Sequence, residues 1–178
     1  VTNCSFSGSV KGRAGSHTGG IAGRSSCAEL TNCAVRADIT ADNTGASNGD
    51  QTYFGGIVGT LYGSNSVIAG CYYDGSINYA DNTSPVRAGG LAGDLQDSGN
   101  LQNCAASVDI NVRGGKPAYQ YSIWQNCAGG AAGYSSGVVN NVSVTGSIAL
   151  YASDDKYNVS VGGLVGLNDY NGSMSYAE

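Results

Sequence analysis

The chain has few of the residues that favour helices, and little charge. Glu occurs only at Glu29 and Glu178, and Lys only at Lys11, Lys116 and Lys156. Charged residues make up 12% of the 178 residues, so the sequence argues against a helical protein. A net charge of −5 offers no basic surface, which excludes nucleic acid and anionic lipid as partners. The sequence has no apolar run of about 18 residues and therefore predicts no membrane span.

Glycine is abundant, with 29 copies, but it shows no three-residue period, which excludes collagen. Much of the remainder is Ser, Asn, Ala, Val, Ile, Thr and Tyr. Such a composition favours β-strands joined by many tight turns.

A five-residue motif, Gly-Gly-x-[Ala/Val]-Gly, recurs five times. Successive copies are separated by 36, 34, 40 and 33 residues. A near-constant period of this size is typical of solenoids, propellers and other repeat arrays. The copies are Gly19–Gly23, Gly55–Gly59, Gly89–Gly93, Gly129–Gly133 and Gly162–Gly166.

A second element alternates with the first and consists of an apolar residue, any residue, Asn and Cys. Downstream of it, small or apolar side chains alternate with mostly polar ones, which predicts a strand with one buried face. We predict a bend at the Asn, because Asn tolerates left-handed backbone angles and Gly70 replaces it in the third copy. The copies are Val1–Cys4, Leu30–Cys33, Ile68–Cys71, Leu101–Cys104 and Val139–Val142.

Each repeat is predicted to hold three strands: the Gly-rich one, a short one before the Asn and a longer one after the Cys. Stacked coils would pair each strand with its copies, so we predict an all-β, right-handed parallel β-helix (β-solenoid) of about five coils of ~35 residues. A propeller is the main alternative, but the hairpin turns that its blades require are missing. Stacking would build two interior ladders, Cys4–Cys33–Cys71–Cys104–Val142 and Val10–Ile39–Ile77–Ile110–Ile148.

The linkers between the long strand and the Gly-rich motif have 8, 15, 11, 18 and 13 residues, whereas those after the motif vary only from 5 to 8. Variation therefore lies at one edge of the coil, where insertions and binding residues collect in solenoids. The longest linker, 111–128, carries aromatic side chains that suit sugars or proteins, and we predict ligand binding there by Tyr119, Tyr121 and Trp124. The alternative is that these rings cover apolar contacts of their own loop.

Candidates for catalysis or metal binding are few. His17, the only histidine, is interpreted as a solvent-exposed loop residue rather than a catalytic base. The oxygen-rich segment 42–50 lacks the EF-hand pattern of ligands. Three outward carboxylates are interpreted as a solvated face rather than as paired catalytic acids. These three carboxylates are Asp38, Asp74 and Asp109. We therefore expect no catalytic residue, no metal site and no cofactor.

Four of the six cysteines share one buried repeat position, where Val142 stands in the fifth copy. Free thiols are the favoured interpretation, and a disulfide between adjacent rungs stays open because neighbouring strands are close enough for one. The spacings of 29, 38 and 33 residues match no zinc motif. Cys27 and Cys127 lie outside the ladder, and we expect Cys127 to be buried beside its Gly-rich motif.

Together with the Asn-Cys element, the Gly-rich motif of this chain resembles the GLUG repeat, and it is best preserved at Gly162–Gly166. The resemblance covers essentially the whole chain. GLUG-type repeats occur in large bacterial surface and secreted proteins, including adhesin-like proteins and the non-catalytic region of immunoglobulin A peptidases. The resemblance implies a non-catalytic structural or adhesive domain spanning 1–178 and displayed outside the cell. Because the sequence starts and stops at the same phase of the repeat, we expect it to be a fragment of a longer array. Neighbouring repeats or domains of the parent chain are the implied partners.

Two alternatives stay open for the function. One is a module that binds a glycan or a host protein at the variable edge. The other is a β-helical carbohydrate-active enzyme, which would need acidic side chains converging in a groove.

Overall fold

The computed structural model describes residues 1–42, 50–80, 84–115, 126–152, 158–169 and 172–175, and within these ranges every regular element is a β-strand. None of the described residues belongs to a helix that could cross a membrane. The strands are β1 (Ser5–Arg13), β2 (His17–Gly19), β3 (Ala22–Ser26), β4 (Glu29–Thr31), β5 (Ala34–Asp42), β6 (Thr52–Gly55), β7 (Val58–Tyr62), β8 (Val67–Ala69), β9 (Tyr72–Tyr79), β10 (Val86–Gly89), β11 (Ala92–Leu95), β12 (Asn100–Gly114), β13 (Asn126–Gly129), β14 (Ala132–Ser135), β15 (Val138–Ala152), β16 (Val159–Gly162), β17 (Val165–Asn168) and β18 (Ser173–Ser175).

The strands form three sheets, and each strand pairs in parallel with its copy in the next repeat. The first sheet has the order β1-β5-β9-β12-β15-β18, with β4 and β8 joined at one side. The second has the order β16-β13-β10-β6-β2, and the third β17-β14-β11-β7-β3. This arrangement is a β-solenoid, which confirms the predicted fold class, with about four turns where about five coils were predicted. Its right-handed winding stays a prediction.

The two predicted interior ladders are present. Val10 pairs with Ile39, Ile39 with Ile77, Ile77 with Ile110, and Ile110 with Ile148. In the other ladder the side chains are buried, except in the first coil, where the structure places no strand beyond β1. The buried members are Cys33, Cys71, Cys104 and Val142, and the exposed one is Cys4.

The left-handed bend at the Asn position is also confirmed, although in the last two coils it lies inside β12 and β15, near their starts. All five residues at this position have left-handed φ angles, between 51° and 62°. The amide of Asn141 donates a hydrogen bond to Oδ1 of Asn103 at 2.7 Å, so the corners of successive coils are linked. The five corner residues are Asn3, Asn32, Gly70, Asn103 and Asn141.

The Gly-rich motif differs from its prediction, because it is a corner between two strands rather than one strand. In the second coil, β6 ends at Gly55 in the second sheet and β7 begins at Val58 in the third. A Cβ atom at Gly55 would lie 1.9 Å from the carbonyl oxygen of Val58. The first Gly of the motif is therefore required because the backbones on the two sides of the corner are in contact.

Candidate functional site

The described surface has depressions at both ends of the stack. One involves β1, β2 and β3 and includes Val10, Gly12 and Thr18. The other includes Val144, Ile148 and Val161 from β15 and β16. Both depressions open onto strand segments that pair with no described neighbour on that side, so they are the interior of a terminal coil and not a built site.

A third depression is a lateral groove of about 350 Å³ on the outer face of the first sheet. It crosses three consecutive coils near the ends of β9, β12 and β15. Asn78 pairs with Asn111, and Arg113 pairs with Tyr151, so these neighbours are about one strand spacing, ~4.8 Å, apart. The variable linkers begin at these strand ends, so the groove lies on the edge at which the sequence predicts binding. We call Asn78, Asn111, Arg113 and Tyr151 the edge groove.

The ring of Tyr151 and the guanidinium of Arg113 are available to a ligand. Tyr151 is 56% exposed, which is high for a large ring on a sheet face. Arg113 is exposed, and no described carboxylate lies within ion-pair distance of it. By contrast, Lys11 and Arg36 on the same face have carboxylate partners at 3.0 Å and 3.9 Å.

The amide of Asn78 is held in place by a hydrogen-bonded chain. Its Nδ2 donates to Oγ of Ser76 at 2.9 Å, and that hydroxyl donates to Oδ1 of Asp38 at 2.7 Å. Because the amide nitrogen is directed at Ser76, the carbonyl oxygen of Asn78 is left as an acceptor towards solvent. The edge groove therefore contains one oriented amide.

The edge groove combines an aromatic face, a guanidinium and two amides. Aromatic rings pack against the apolar faces of sugars, and Arg and Asn side chains supply donors and acceptors for hydroxyl or carboxylate groups. None of its four described side chains is a carboxylate, histidine or cysteine. This arrangement is suited to binding.

The predicted ligand-binding residues Tyr119, Tyr121 and Trp124 lie in 116–125, outside the described residues, and so does most of segment 42–50. The linker that contains the three aromatic residues starts at the edge groove, since Arg113 is the penultimate residue of β12. The sequence predicted binding in the linker 111–128, which includes Asn111 and Arg113, but it did not indicate Asn78 and Tyr151. The available signal was the alternation of inward and outward side chains, which places Asn78 and Tyr151 on the outer face, one and three positions after the inward-facing Ile77 and Ile148. The two residues belong to different linkers, which come together only when the coils stack.

The three outward carboxylates are not brought together. Asp109 pairs in register with Ser76 on one side and with Ser147 on the other. The hydroxyl of Ser147 donates to Oδ1 of Asp109 at 2.6 Å, and Asp38 accepts in the same way from Ser76. Asp74 faces Arg36 instead.

A buried polar cluster, which we call the polar seam, lies between the second and third sheets and consists of Arg87, Asp94, Cys127 and Tyr134. Nη1 of Arg87 is 2.9 Å from Oδ2 of Asp94, and their side chains are only 5% and 0% exposed. The guanidinium also stacks on the ring of Tyr134, 4.0 Å from its centroid. Burial raises the pKa of Asp94 above its usual value, because the loss of water outweighs the opposing effect of Arg87.

The remaining groups of the polar seam are poorly suited to nucleophilic chemistry. Burial raises the pKa of Cys127 to about 12, which keeps it a thiol near neutral pH. Burial and a hydrogen bond to Asp169 raise the pKa of Tyr134 to about 12. Within the described ranges, no group of three or more His, Cys, Asp or Glu side chains could hold a metal ion. The predicted burial of Cys127 is confirmed.

His17 does not occupy the predicted exposed loop. It is the first residue of β2 and half-buried, and its ring stacks on Tyr53 with centroids 4.5 Å apart and planes at 3°. Its Nδ1 lies 2.7 Å from Oγ1 of Thr60. The linker is shorter than predicted because β1 runs on to Arg13, which places His17 in the next strand.

Acid is expected to destabilise the chain through His17. Burial, with help from Arg24, lowers the pKa of His17 below 6.5, so the ring is neutral in the folded state over a wider range than in the unfolded one. The stabilisation that the neutral His17 ring provides is fully present above about pH 6.5. It is lost as the pH falls through the folded-state pKa of this ring, because the unfolded chain takes up the proton more readily. The melting temperature should therefore fall more between about pH 7 and about pH 5 in the wild type than in His17→Gln. Equal slopes in the two proteins would contradict this assignment.

No family model matches the chain, and neither the curated proteins nor the solved structures contain a match.

Proposed function

We propose that this chain is a non-catalytic structural and adhesive repeat module of a bacterial cell-surface or secreted protein, and that it binds a glycan at the edge groove. The edge groove is the observation that carries the binding role. It combines on one face the exposed Tyr151 ring, the oriented Asn78 amide and the guanidinium of Arg113, which forms an ion pair with no described carboxylate.

The division of the solenoid into a repeated interior and a variable edge supports the structural part of the proposal. Interior positions repeat from coil to coil and are filled by packing residues, as in the ladder from Val10 to Ile148. The linkers differ in length at the other side, next to the edge groove. A scaffold of this kind allows the edge to change without altering the core. The extracellular bacterial setting is supported by the resemblance of the repeat to GLUG.

A glycan is favoured over a protein partner by the shape and chemistry of the edge groove. It is narrow, about three strands wide, and it offers one ring with polar groups beside it rather than a broad apolar patch. A protein interface usually buries about 800 Å² on each partner around a cluster of apolar anchors. A host protein is the second candidate because Tyr119, Tyr121 and Trp124 follow Arg113 of the edge groove within a few residues along the chain.

Replacing Tyr151 by alanine is expected to weaken glycan binding at least about tenfold, which corresponds to about 1.4 kcal/mol. The reason is loss of the ring that packs on the sugar face. The wild-type chain would first be screened on a glycan array, and affinities for the best ligand would then be measured by titration calorimetry.

Tyr72→Ala is the matched control, because Tyr72 is 36% exposed on the same sheet face but lies outside the edge groove. It should leave the affinity unchanged. Binding that is equally strong in Tyr151→Ala, or an array without any bound glycan, would overturn the glycan proposal. Recovery of a cleaved oligosaccharide would favour the β-helical enzyme instead.

A further inference from the structure

A column of four cysteines runs through the first sheet, one in each successive coil. The pairing of Ala34 and Ala105 with Tyr72 places the preceding residues, Cys33, Cys71 and Cys104, in register. Neighbours in register on parallel strands are about 4.8 Å apart, which lies within the Cα separation of about 4.4–6.8 Å that a disulfide spans. All six cysteines are free thiols in this structure.

The sulfur atoms of the column are already in contact with the next rung. The backbone N–H of Cys71 donates to Sγ of Cys104 at 3.4 Å, and the N–H of Cys33 donates to Sγ of Cys71 at 3.4 Å. Both thiols also donate to backbone carbonyl oxygens, Cys71 to that of Leu30 at 3.4 Å and Cys104 to that of Gln102 at 3.1 Å.

We infer that Cys71 and Cys104 form a disulfide between coils when the chain folds in an oxidising medium, with a small disulfide such as oxidised glutathione as the oxidant. The column itself selects this pair. Val142 occupies the rung beyond Cys104, so Cys71 is the only thiol neighbour of Cys104. A Cys33–Cys71 bond would leave Cys4 and Cys104 three rungs apart, about 14 Å, which is too far for a second bond.

The bond forms by two exchange steps. The thiolate of Cys104 attacks one sulfur of oxidised glutathione, which forms a mixed disulfide and releases one glutathione thiolate. The thiolate of Cys71 then attacks Sγ of Cys104 and releases the second glutathione thiolate. The protein loses two protons and two electrons in total, and the glutathione disulfide gains them.

The same disulfide results if Cys71 attacks first and Cys104 second, because the two residues are neighbours in the column and the N–H of Cys71 already contacts Sγ of Cys104.

The experiment refolds the reduced chain in a buffer of reduced and oxidised glutathione, alkylates the remaining thiols and digests the product with trypsin. Cleavage after Arg36, Arg87 and Arg113 puts Cys71 alone in the peptide 37–87 and Cys104 alone in the peptide 88–113. We expect mass spectrometry to find these two peptides joined and separated again by reduction, with about a tenfold loss of alkylation at both cysteines.

Two variants make the test specific. Cys104→Val copies the residue that Val142 supplies on the next rung, and it should abolish the joined pair while the reduced protein keeps its circular dichroism spectrum. Cys127→Val changes a buried cysteine outside the column and should leave the joined pair intact. Joining of the peptide 37–87 to 25–36, or full alkylation of Cys71 in the refolded wild type, would overturn the inference.

Discussion

Replacing Gly90 by alanine is expected to cost about 3 kcal/mol or more of folding stability and to lower the melting temperature by roughly 6–12 °C. Gly90 is the second glycine of the third Gly-rich motif. A Cβ atom at this position would lie 2.2 Å from the carbonyl oxygen of Gly130 and 2.9 Å from Cγ1 of Val108. The first of these atoms belongs to the backbone of the next coil, so the two coils would have to separate. Thermal and denaturant unfolding of the variant measures the cost.

Gly163→Ala is the control, because Gly163 is the second glycine of the last Gly-rich motif. Nothing lies within 4 Å of the place where its Cβ would be, since no described coil stacks on that side. We expect a change within about 0.5 kcal/mol. If the two variants lose the same stability, the requirement for glycine comes from the conformation of the corner itself rather than from the contact between coils.

Many details of the fold could be predicted because each local sequence pattern, weak when seen once, recurs in five repeats. One Asn before one strand says little, but the left-handed corner was predictable once Gly70 replaced Asn at the same phase. The ladder from Val10 to Ile148 followed from side-chain parity in the same way. The corner inside the Gly-rich motif could not be found, because two adjacent glycines carry no side chains from which a parity can be read.

Features that occur in only one coil, or that combine residues of different coils, could not be predicted from the sequence. The edge groove takes Asn78, Arg113 and Tyr151 from three linkers of unrelated sequence, and only the stacking places them together. Asp38 and Asp109 occupy equivalent positions two coils apart, but only the stacked coils show that each accepts a hydrogen bond from a serine of the next coil, Ser76 or Ser147. Arg87 and Asp94 occur in one coil only, where period-based reasoning has no second example.

The polar seam supplies the other large expected effect, because replacing Asp94 by threonine leaves the Arg87 guanidinium buried without its carboxylate. We expect a loss of about 3–5 kcal/mol in the free energy of unfolding, as is usual when one member of a buried ion pair is removed. Threonine is chosen because Thr60 occupies the same register position in the preceding coil. Denaturant unfolding of wild type and variant measures the loss.

The double variant Arg87→Tyr with Asp94→Thr tests whether the loss is due to the buried charge or to the volume removed at position 94. It reproduces the pair that the preceding coil carries, because Tyr53 is in register with Arg87 and Thr60 with Asp94. Since both members of the buried ion pair are removed together, the double variant should recover about 2 kcal/mol or more of what Asp94→Thr loses. Additive losses would mean that Gln96, which donates to Oδ2 of Asp94 at 2.5 Å, and the packing around it decide the stability. Recovery would instead show that the solenoid tolerates either a neutral or a charged rung between these two sheets, provided that both members of the rung change together.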